Sequence, residues 1–267
     1  MPNPFSRTEM LIGAQALQVL AGARVAVFGI GGVGSYAVEG LVRAGVGRLD
    51  LIDHDRVCLT NLNRQVHATH RSVGQYKVDA MRDRVLEINP AVEVRTVRAF
   101  YLPENAADLF DPGWDYIIDA MDTVTAKLDL VVRAQENQVP LICCLGTANK
   151  MDPTRFEVAD LAKTDICPLA KIMRKELRRR GVKHVKVVYS KESPLSPREP
   201  VEPDCADCRL CPEDPARTRS SRRQLPGSMS FLPSVAGLIA AGEVVKDLIG
   251  WKTPVDGDGA ASVNTVQ

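Results

Sequence analysis

Short apolar runs alternate along the first half of the chain with longer segments in which apolar residues recur every three or four positions. The runs predict strands at residues 24–28, 48–52, 92–97, 116–119 and 141–145. Before the third run, Val78, Met81 and Val85 share one face of an amphipathic helix. Strands that alternate with helices join through right-handed crossovers, so the pattern predicts an α/β fold with a Rossmann-like, mainly parallel sheet and flanking helices.

The pattern changes after residue 147. It predicts a short strand at 155–158, a basic helix at about 168–180 and a strand at 185–189, in an irregular basic C-terminal half. Prolines at every third position from Pro194 to Pro203 favour an extended polyproline conformation, so we expect a long exposed loop over 190–227. The polar residues 251–267 predict a disordered tail.

Length and composition allow one large domain. The chain has 267 residues, of which 45% are hydrophobic and 25% charged, as is typical of a globular protein. We expect a single domain over 1–250, with a core at 1–150, a basic insert and mobile loop at 165–227 and a C-terminal helix at 230–250. Its 34 Lys and Arg balance 33 Asp and Glu, so the net charge of +1 indicates no particular class of partner.

No stable membrane insertion is expected of either apolar segment. Residues 10–23 are interrupted by two glutamines, and Ser6 and Glu9 have the spacing of a capping box, so a helix explains them better than a signal peptide does. Residues 231–250 contain a proline and several charges, and their uncharged part is shorter than the roughly 20 residues that span a bilayer. They predict a buried or interface helix.

A glycine-rich turn follows the first predicted strand. Gly29, Gly31, Gly32 and Gly34 form the pattern G-x-G-G-x-G before the next helix. Backbone amides and the positive end of the helix face a phosphate group in such a turn. Asp53, at the end of the second strand, is placed to accept hydrogen bonds from ribose hydroxyls. These residues predict that the core at 1–150 is nucleotide-binding, and taken alone they favour NAD.

Cations farther along the chain favour a triphosphate over NAD, because hydride transfer needs no positive charges aimed at the phosphates. Arg64 lies in the run Asn-Leu-Asn-Arg-Gln, and Lys77 lies near the start of a helix for which Ser72 and Gln75 suggest a capping box. Arg64 favours bidentate phosphate contacts. Taken singly, each of the two cations is equally well explained as a solvated surface charge.

Two aspartates follow the fourth predicted strand. The spacing of Asp119 and Asp122 leaves one carboxylate over the sheet edge, where it could hold a magnesium ion. Asp122 could equally cap the following helix. In this order along the chain, the cations and the aspartates together favour phosphate chemistry.

These motifs resemble those of the ThiF-fold adenylyltransferases, the family of ubiquitin-activating type. Residues 6–164 carry the matching motifs, and residues 227–250 match again. The motifs are the glycine turn, Leu51-Ile52-Asp53-x-Asp55, Asn61-x-x-Arg64-Gln65, Gly74-x-x-Lys77 and Asp119-x-x-Asp122. Within the family the chain most resembles the tRNA threonylcarbamoyladenosine dehydratases, through shorter motifs at 152–154, 160–164 and 168–169.

The resemblance implies an ATP-binding adenylation domain over 1–250, with ATP and magnesium as cofactors. In family terms Asp53 binds the ribose, Arg64 and Lys77 the phosphates, and Asp122 the magnesium ion. Arg7 is similar to the arginine that such homodimers donate to the other subunit's nucleotide site. The implied ATP site comprises Gly29, Gly31, Gly32, Gly34, Asp53, Asp55, Asn61, Arg64, Gln65, Lys77, Asp119 and Asp122, with Arg7, Arg64, Lys77 and Asp122 as catalytic residues.

The implied reaction begins with attack of a carboxylate on the α-phosphorus of ATP, which makes AMP the leaving group. If the substrate is threonylcarbamoyladenosine in tRNA, its carbamoyl group then closes on the activated carbonyl, with overall loss of water. Oriented intramolecular reactions reach effective molarities of roughly 10⁵–10⁸ M, so no enzyme nucleophile is required.

The basic segment predicts contact with RNA. Residues 171–191 carry nine basic residues and one acid, and Tyr189 could stack on a base. The predicted tRNA contacts are Lys171, Arg174, Lys175, Arg178 and Arg179. A solvated helix face that complements an acidic surface of the same protein stays open as an alternative.

Seven cysteines, an odd number, indicate reduced thiols and a cytoplasmic protein. Cys205, Cys208 and Cys211 have metal-ligand spacing, but a structural zinc site takes four ligands and no Cys or His follows. Cys167 or His184 could be a distant fourth ligand, and free thiols or redox chemistry explain the cluster as well, so we assign no metal there.

Two other functions stay open. The chain could adenylate the C-terminal glycine of a ubiquitin-like sulfur carrier, with a sulfur-relay or cysteine desulfurase partner; the single C-x-x-C cluster and the basic segment disfavour this. It could also be a redox-sensing, nucleic-acid-binding module that holds NAD on the glycine turn.

Overall fold

The computed structural model describes residues 3–198 and 226–252. The strands are β1 (Arg24–Phe28), β2 (Arg48–Ile52), β3 (Glu93–Val97), β4 (Tyr116–Asp119), β5 (Leu141–Cys144), β6 (Phe156–Asp160) and β7 (Lys186–Ser190). The helices are α1 (Ser6–Gly22), α2 (Gly32–Ala44), α3 (Lys77–Ile88), α4 (Ala106–Leu109), α5 (Val124–Glu136), α6 (Pro168–Arg179) and α7 (Phe231–Leu248).

All seven strands form one sheet in the order β3-β2-β1-β4-β5-β7-β6. Neighbouring strands are parallel except β6, which runs antiparallel to β7. The predicted α/β fold with a mainly parallel sheet is confirmed. The C-terminal half contains the predicted basic helix and the two predicted short strands, as α6, β6 and β7, and the two strands extend the same sheet. Strands β2 and β3 lie on one side of β1, and β4 lies on its other side. Such a topological switch point opens a crevice at the carboxyl ends of the strands.

Helices cover both faces of the sheet because side chains alternate along each strand. Val25 and Val27 of β1 face a core that includes α1, α2, α3 and α7. Ala26 and Phe28 face the opposite side, where α5 and Tyr101 pack. A third cluster joins α5 and α6 beside β5 and β7. The result is three layers, with the crevice at one end of the middle layer.

Helix α7 packs closely on α2 through glycines. A Cβ atom at Gly237 would lie 2.3 Å from the carbonyl oxygen of Val33, and one at Gly40 would lie 2.8 Å from the Cβ of Ala241. Seven residues of α7 are buried, so the predicted buried helix is confirmed. Among the described residues, no helix is long and apolar enough to cross a bilayer.

Both predicted capping boxes are wrong. Ser6 is the first helical residue of α1 and makes no capping bond; the side chain of Asn3 instead binds Glu9 and the Phe5 amide. Helix α3 begins only at Lys77, after Tyr76, again without a side-chain cap.

The serine at the second of these positions belongs to an earlier turn. The Oγ of Ser72 accepts from the Thr69 amide and donates to the His67 carbonyl. Hydroxyls that bind nearby backbone groups favour turns as strongly as caps. Residue spacing alone therefore does not decide whether a serine caps a helix or stabilises a turn.

Several predictions fall outside the part of the chain that the structure describes. The expected loop at 190–227 is described over 190–198 and 226–227, and the expected tail only at 251–252. Cys205, Cys208 and Cys211 lie outside the described residues, so their role stays a prediction.

The α2–α7 contact predicts opposite effects for two glycines of one helix. Gly237→Ala puts a Cβ against backbone and should lower the free energy of unfolding by about 1–3 kcal/mol. Gly242→Ala meets no atom within 4 Å and should leave stability unchanged or raise it by up to about 1 kcal/mol. Urea denaturation of both variants checks this; equal stabilities would contradict the proposed packing constraint.

Candidate active site

The crevice at the switch point is a cavity of about 470 Å³ at the carboxyl ends of β1, β2 and β4. Of the predicted ATP-binding residues, it is lined by Gly29, Gly31, Gly32, Asp53, Asp55, Asn61, Arg64, Gln65, Lys77 and Asp122. Ten residues from five separate segments of the sequence therefore meet on one surface.

The glycine turn brings the start of α2 against the end of β1. Gly29 has a φ of +85°, and a Cβ there would lie 2.8 Å from the carbonyl oxygen of Ala120. A Cβ at Gly34 would lie 1.8 Å from the carbonyl oxygen of Gly29. Gly34 does not line the cavity, and its ligand contact stays a prediction; the absence of a side chain lets helix and turn approach.

Asp53 ties the glycine turn to β2. Its Oδ2 accepts from the Ile30 amide at 2.6 Å, and its Oδ1 accepts from the Asp55 amide at 2.8 Å. Both oxygens keep further acceptor capacity and the residue lines the cavity. The carboxylate therefore fixes the turn while facing the space where a ribose is expected.

Lys77 reaches the cavity from the first turn of α3. Its side chain is 8% exposed, and its Nζ donates to the Oδ2 of Asp55 at 2.6 Å. A backbone hydrogen bond of 3.0 Å from the Lys77 amide to the Asp55 carbonyl fixes the same pair. The ammonium group has two further donors. Asp55 thus holds a buried cation at the cavity wall.

Arg64 lines the cavity without a carboxylate partner among the described residues. Its Nη1 donates to the Thr60 carbonyl and to Asn63 Oδ1, both at 2.9 Å. Burial lowers the pKa of the guanidinium below its ordinary value, though the group stays charged. A half-buried cation with spare N–H donors is suited to an anion.

Asn61 and Gln65 shape the same wall. The Oδ1 of Asn61 accepts from the Cys58 amide at 3.0 Å, and this bond closes the turn before Arg64. The Oε1 of Gln65 is buried and has no hydrogen-bond partner within the described structure. A buried acceptor without a partner is costly, so a ligand donor at this position would stabilise it.

The two predicted aspartates point in different directions. Asp122 is exposed at the cavity, and it does not cap α5, whose N-cap is Thr123. Asp119 is fully buried and bonds to Lys127 and Cys143, away from the cavity lining. Strand alternation turns the side chain of Asp119 under the turn, and its nucleotide contact stays a prediction.

A second stretch of chain closes the cavity. Pro226 and Ser228 line it, and the Ser228 carbonyl accepts from the Nδ2 of Asn63 at 3.0 Å. Asn149, with a φ of +58°, exchanges hydrogen bonds of 2.7 and 2.8 Å with Gly227 and accepts from the Leu195 amide at 2.7 Å. One residue thus pins the two described ends that flank residues 199–225.

Comparison of the sequence with models of known protein families shows which family the chain belongs to. A model described as "ThiF family" matches residues 5–262. The chain belongs to the ThiF family. It is 46% identical over 93% of its length to a tRNA threonylcarbamoyladenosine dehydratase of Bacillus subtilis, of which it covers 96%.

Solved structures of related proteins support the same family assignment. The chain superposes on Escherichia coli tRNA N6-threonylcarbamoyladenosine dehydratase in complex with ATP with a TM-score of 0.78, at 34% identity over 92% of this chain and 94% of the other. The complex of that protein with AMP gives a TM-score of 0.79 at the same identity and coverage.

Sequence reasoning missed several residues of this ThiF-family site. His54 and Phe100 line the cavity beside Asp53, with ring centroids 4.5 Å apart. Thr147 lines it from the turn after β5. His54 directly follows Asp53, which was a usable signal, but Phe100 and Thr147 carry no motif and only the sheet order brings them there.

The basic side chains of α6 fall into two groups, those that bind other groups of the described structure and those that form no ion pair there. Arg174 Nη1 donates to the backbone and side-chain oxygens of Thr164 and so braces the preceding turn. Arg179 pairs with Glu176 at 2.9 Å. Lys171, Lys175 and Arg178 are exposed and form no ion pair within the described ranges. Of the five predicted RNA contacts, these last three are available.

Arg7 is exposed on α1 and does not line the cavity of its own chain. Its proposed contribution to another subunit's site stays a prediction, as does the homodimer.

Two substitutions in the glycine turn should distinguish an effect on ligand binding from an effect on stability. Gly31→Ala adds a Cβ that meets no protein atom within 4 Å at the cavity wall, so it should preserve the melting temperature and weaken ATP binding about tenfold or more. Gly34→Ala forces helix and turn apart and should lower both. Thermal unfolding and calorimetric ATP titration check this; normal ATP affinity in Gly31→Ala would contradict phosphate binding at the turn.

Proposed function

We propose that the protein is an ATP-dependent tRNA threonylcarbamoyladenosine dehydratase. It adenylates the carboxylate of threonylcarbamoyladenosine in tRNA and promotes cyclisation with loss of water. The observation that carries the proposal is Arg64, a half-buried cation without a carboxylate partner in the described structure, at a cavity that the glycine turn and Lys77 also line. The relatives named above support the choice of substrate.

The cavity residues account for adenylation. Amides of the glycine turn and the start of α2 bind phosphate oxygens, and Asp53 binds the ribose hydroxyls. Arg64 and Lys77 stabilise the negative charge that develops as the substrate carboxylate attacks the α-phosphorus and pyrophosphate leaves. AMP then leaves from the activated carbonyl.

Asp122 suits a magnesium ion. Its carboxylate faces the cavity, and the one side-chain bond described for it is a long contact of 3.4 Å from Thr123 Oγ1. Carboxylate oxygen is the ligand type that magnesium prefers. When bound, the ion would neutralise phosphate charge; Asp122 would hold it and leave Arg64 and Lys77 free for the phosphoryl oxygens.

Ring closure needs no thiol from the protein core. Cys143, Cys144 and Cys167 are all buried. Burial raises the pKa of Cys144 to about 12, so this thiol stays protonated at neutral pH. The carbamoyl nitrogen of the substrate is already tethered to the activated carbonyl, and this proximity supplies the rate acceleration.

The tRNA is held by charge on α6. Lys171, Lys175 and Arg178 are solvent-exposed and bind phosphates of the tRNA, while Arg174 and Arg179 keep their internal contacts. As the partner set we propose tRNA, a second copy of the chain and a sulfur-relay or cysteine desulfurase protein.

The reaction is tested directly with ATP, magnesium and threonylcarbamoyl-modified tRNA, followed by mass analysis of the released nucleosides. We expect loss of one water from the modified adenosine in each turnover. Arg64→Ala should lower the rate about 10²–10³-fold, because it removes a charge that stabilises the transition state. Arg71→Ala is the control, since Arg71 is exposed on the same segment but does not line the cavity.

An unchanged nucleoside mass together with pyrophosphate exchange that depends on a ubiquitin-like sulfur carrier would contradict the tRNA reaction and favour the sulfur-carrier alternative. Tight NADH binding without ATP binding would contradict adenylation altogether.

The exposed cations of α6 predict a selective decrease in tRNA affinity. Lys175→Ala with Arg178→Ala should raise the KM for tRNA and lower the slope of log affinity against log salt by about 1 for each phosphate that is no longer bound, with the KM for ATP unchanged. Arg82→Ala with Arg71→Ala removes the same charge from the surface in and before α3, and should have little effect. An equal decrease in both double variants would refute a specific α6 surface.

A further inference from the structure

A fully buried ion pair lies beneath the turn that carries Asp122. The Nζ of Lys127 is 3.0 Å from the Oδ1 of Asp119, and both side chains have 0% exposure. Neither residue lines the cavity, and the proposed reaction does not use either. Removing two charges from water is costly, so stability alone does not explain such a pair.

The pair connects three parts of the fold. Lys127, in the first turn of α5, donates to the carbonyl of Cys144 at 2.9 Å and of Asp119 at 3.4 Å. Asp119 accepts from the Met121 amide at 3.1 Å and from the Cys143 thiol at 3.0 Å. The carboxyl ends of β4 and β5 and the start of α5 are thereby bound to one buried centre.

Both strand ends lead directly into the cavity wall. Residues 120–123 follow β4 and all line the cavity, and Thr147 and Ala148 line it after β5. Asp122 itself has no strong bond that fixes it, since its one described side-chain contact is 3.4 Å long. The orientation of this carboxylate is therefore set by the turn, and the turn is set by the buried pair.

The Lys127 ammonium group is held charged. Burial would lower the pKa of Lys127, but attraction to Asp119 outweighs it and raises this pKa above its ordinary value. Burial raises the pKa of the Cys143 thiol, and proximity to Asp119 raises it further, so the thiol keeps the proton that it donates. A buried polar cluster whose members bind one another in this way has a rigid geometry.

We propose that Lys127 and Asp119 are positioning residues for adenylation: they hold the turn at residues 120–123 so that the Asp122 carboxylate faces the ATP phosphates. The proposal rests on the function proposed above, since it assigns the pair to that reaction. Residues that orient a carboxylate at a metal and phosphate site commonly contribute about 10–100-fold to activity.

The test uses Lys127→Met, which keeps the side-chain length and removes the charge. The double variant Asp119→Asn with Lys127→Met leaves no unpaired charge and so serves if the single variant does not fold. Asp50→Asn is the matched control: Asp50 is also buried on a strand and binds Trp114 and Arg24, at 2.7 Å each, toward the amino ends of the strands.

We expect ATP–pyrophosphate exchange by the Lys127 variants to show a kcat about 10–100-fold below that of the native protein, with one ATP bound per chain by calorimetry and a KM for tRNA within about threefold. Hydrogen exchange of the amides at 120–123 should accelerate. Asp50→Asn should lower the melting temperature and keep kcat.

A kcat within about twofold of the native value in the folded Lys127 variants would overturn the proposal. So would a fall in ATP stoichiometry that matches the fall in kcat, or an equal decrease of kcat in Asp50→Asn, because either indicates a general structural effect. Absence of product with the native protein would instead contradict the proposed function.

Discussion

The close approach of α2 to the end of β1 is the constraint on which the site depends. Gly34 lies so near the Gly29 carbonyl that no side chain fits, and this brings the first amides of α2 to the switch point of the sheet. Asp53 then fixes the turn from β2, and α7 supports α2 from behind through Gly237. The charged residues act on a ligand whose place these backbone contacts have determined.

Strands and long helices could be predicted from the sequence, because burial on both faces leaves nearly continuous apolar runs. The boundaries of β1, β2 and β4 agree with the prediction, and the others differ by one or two residues. Caps were harder: Ser6 and Ser72 have the right spacing, but Ser6 makes no capping bond and the hydroxyl of Ser72 binds the backbone of an earlier turn, which spacing does not predict.

Side-chain direction and charge pairing could not be predicted. Asp119 and Asp122 share a motif, and three residues of spacing do not say which carboxylate faces the cavity. Likewise, a count of basic residues on α6 does not reveal that Arg174 braces Thr164 while Lys175 stays exposed. Such outcomes depend on tertiary neighbours far apart in the chain, as does the arrival of Phe100 and Thr147 at the site.

The hydrogen bonds of Asn149 to Leu195 and Gly227 carry a consequence for how this protein can diverge. Because the chain departs from and returns to a single asparagine at the rim of the cavity, the spacing between those two points is fixed locally. Because the entropy of closing a chain segment grows only slowly with its length, a change in the number of residues between Leu195 and Gly227 should be tolerated as long as Asn149 keeps its hydrogen bonds to both.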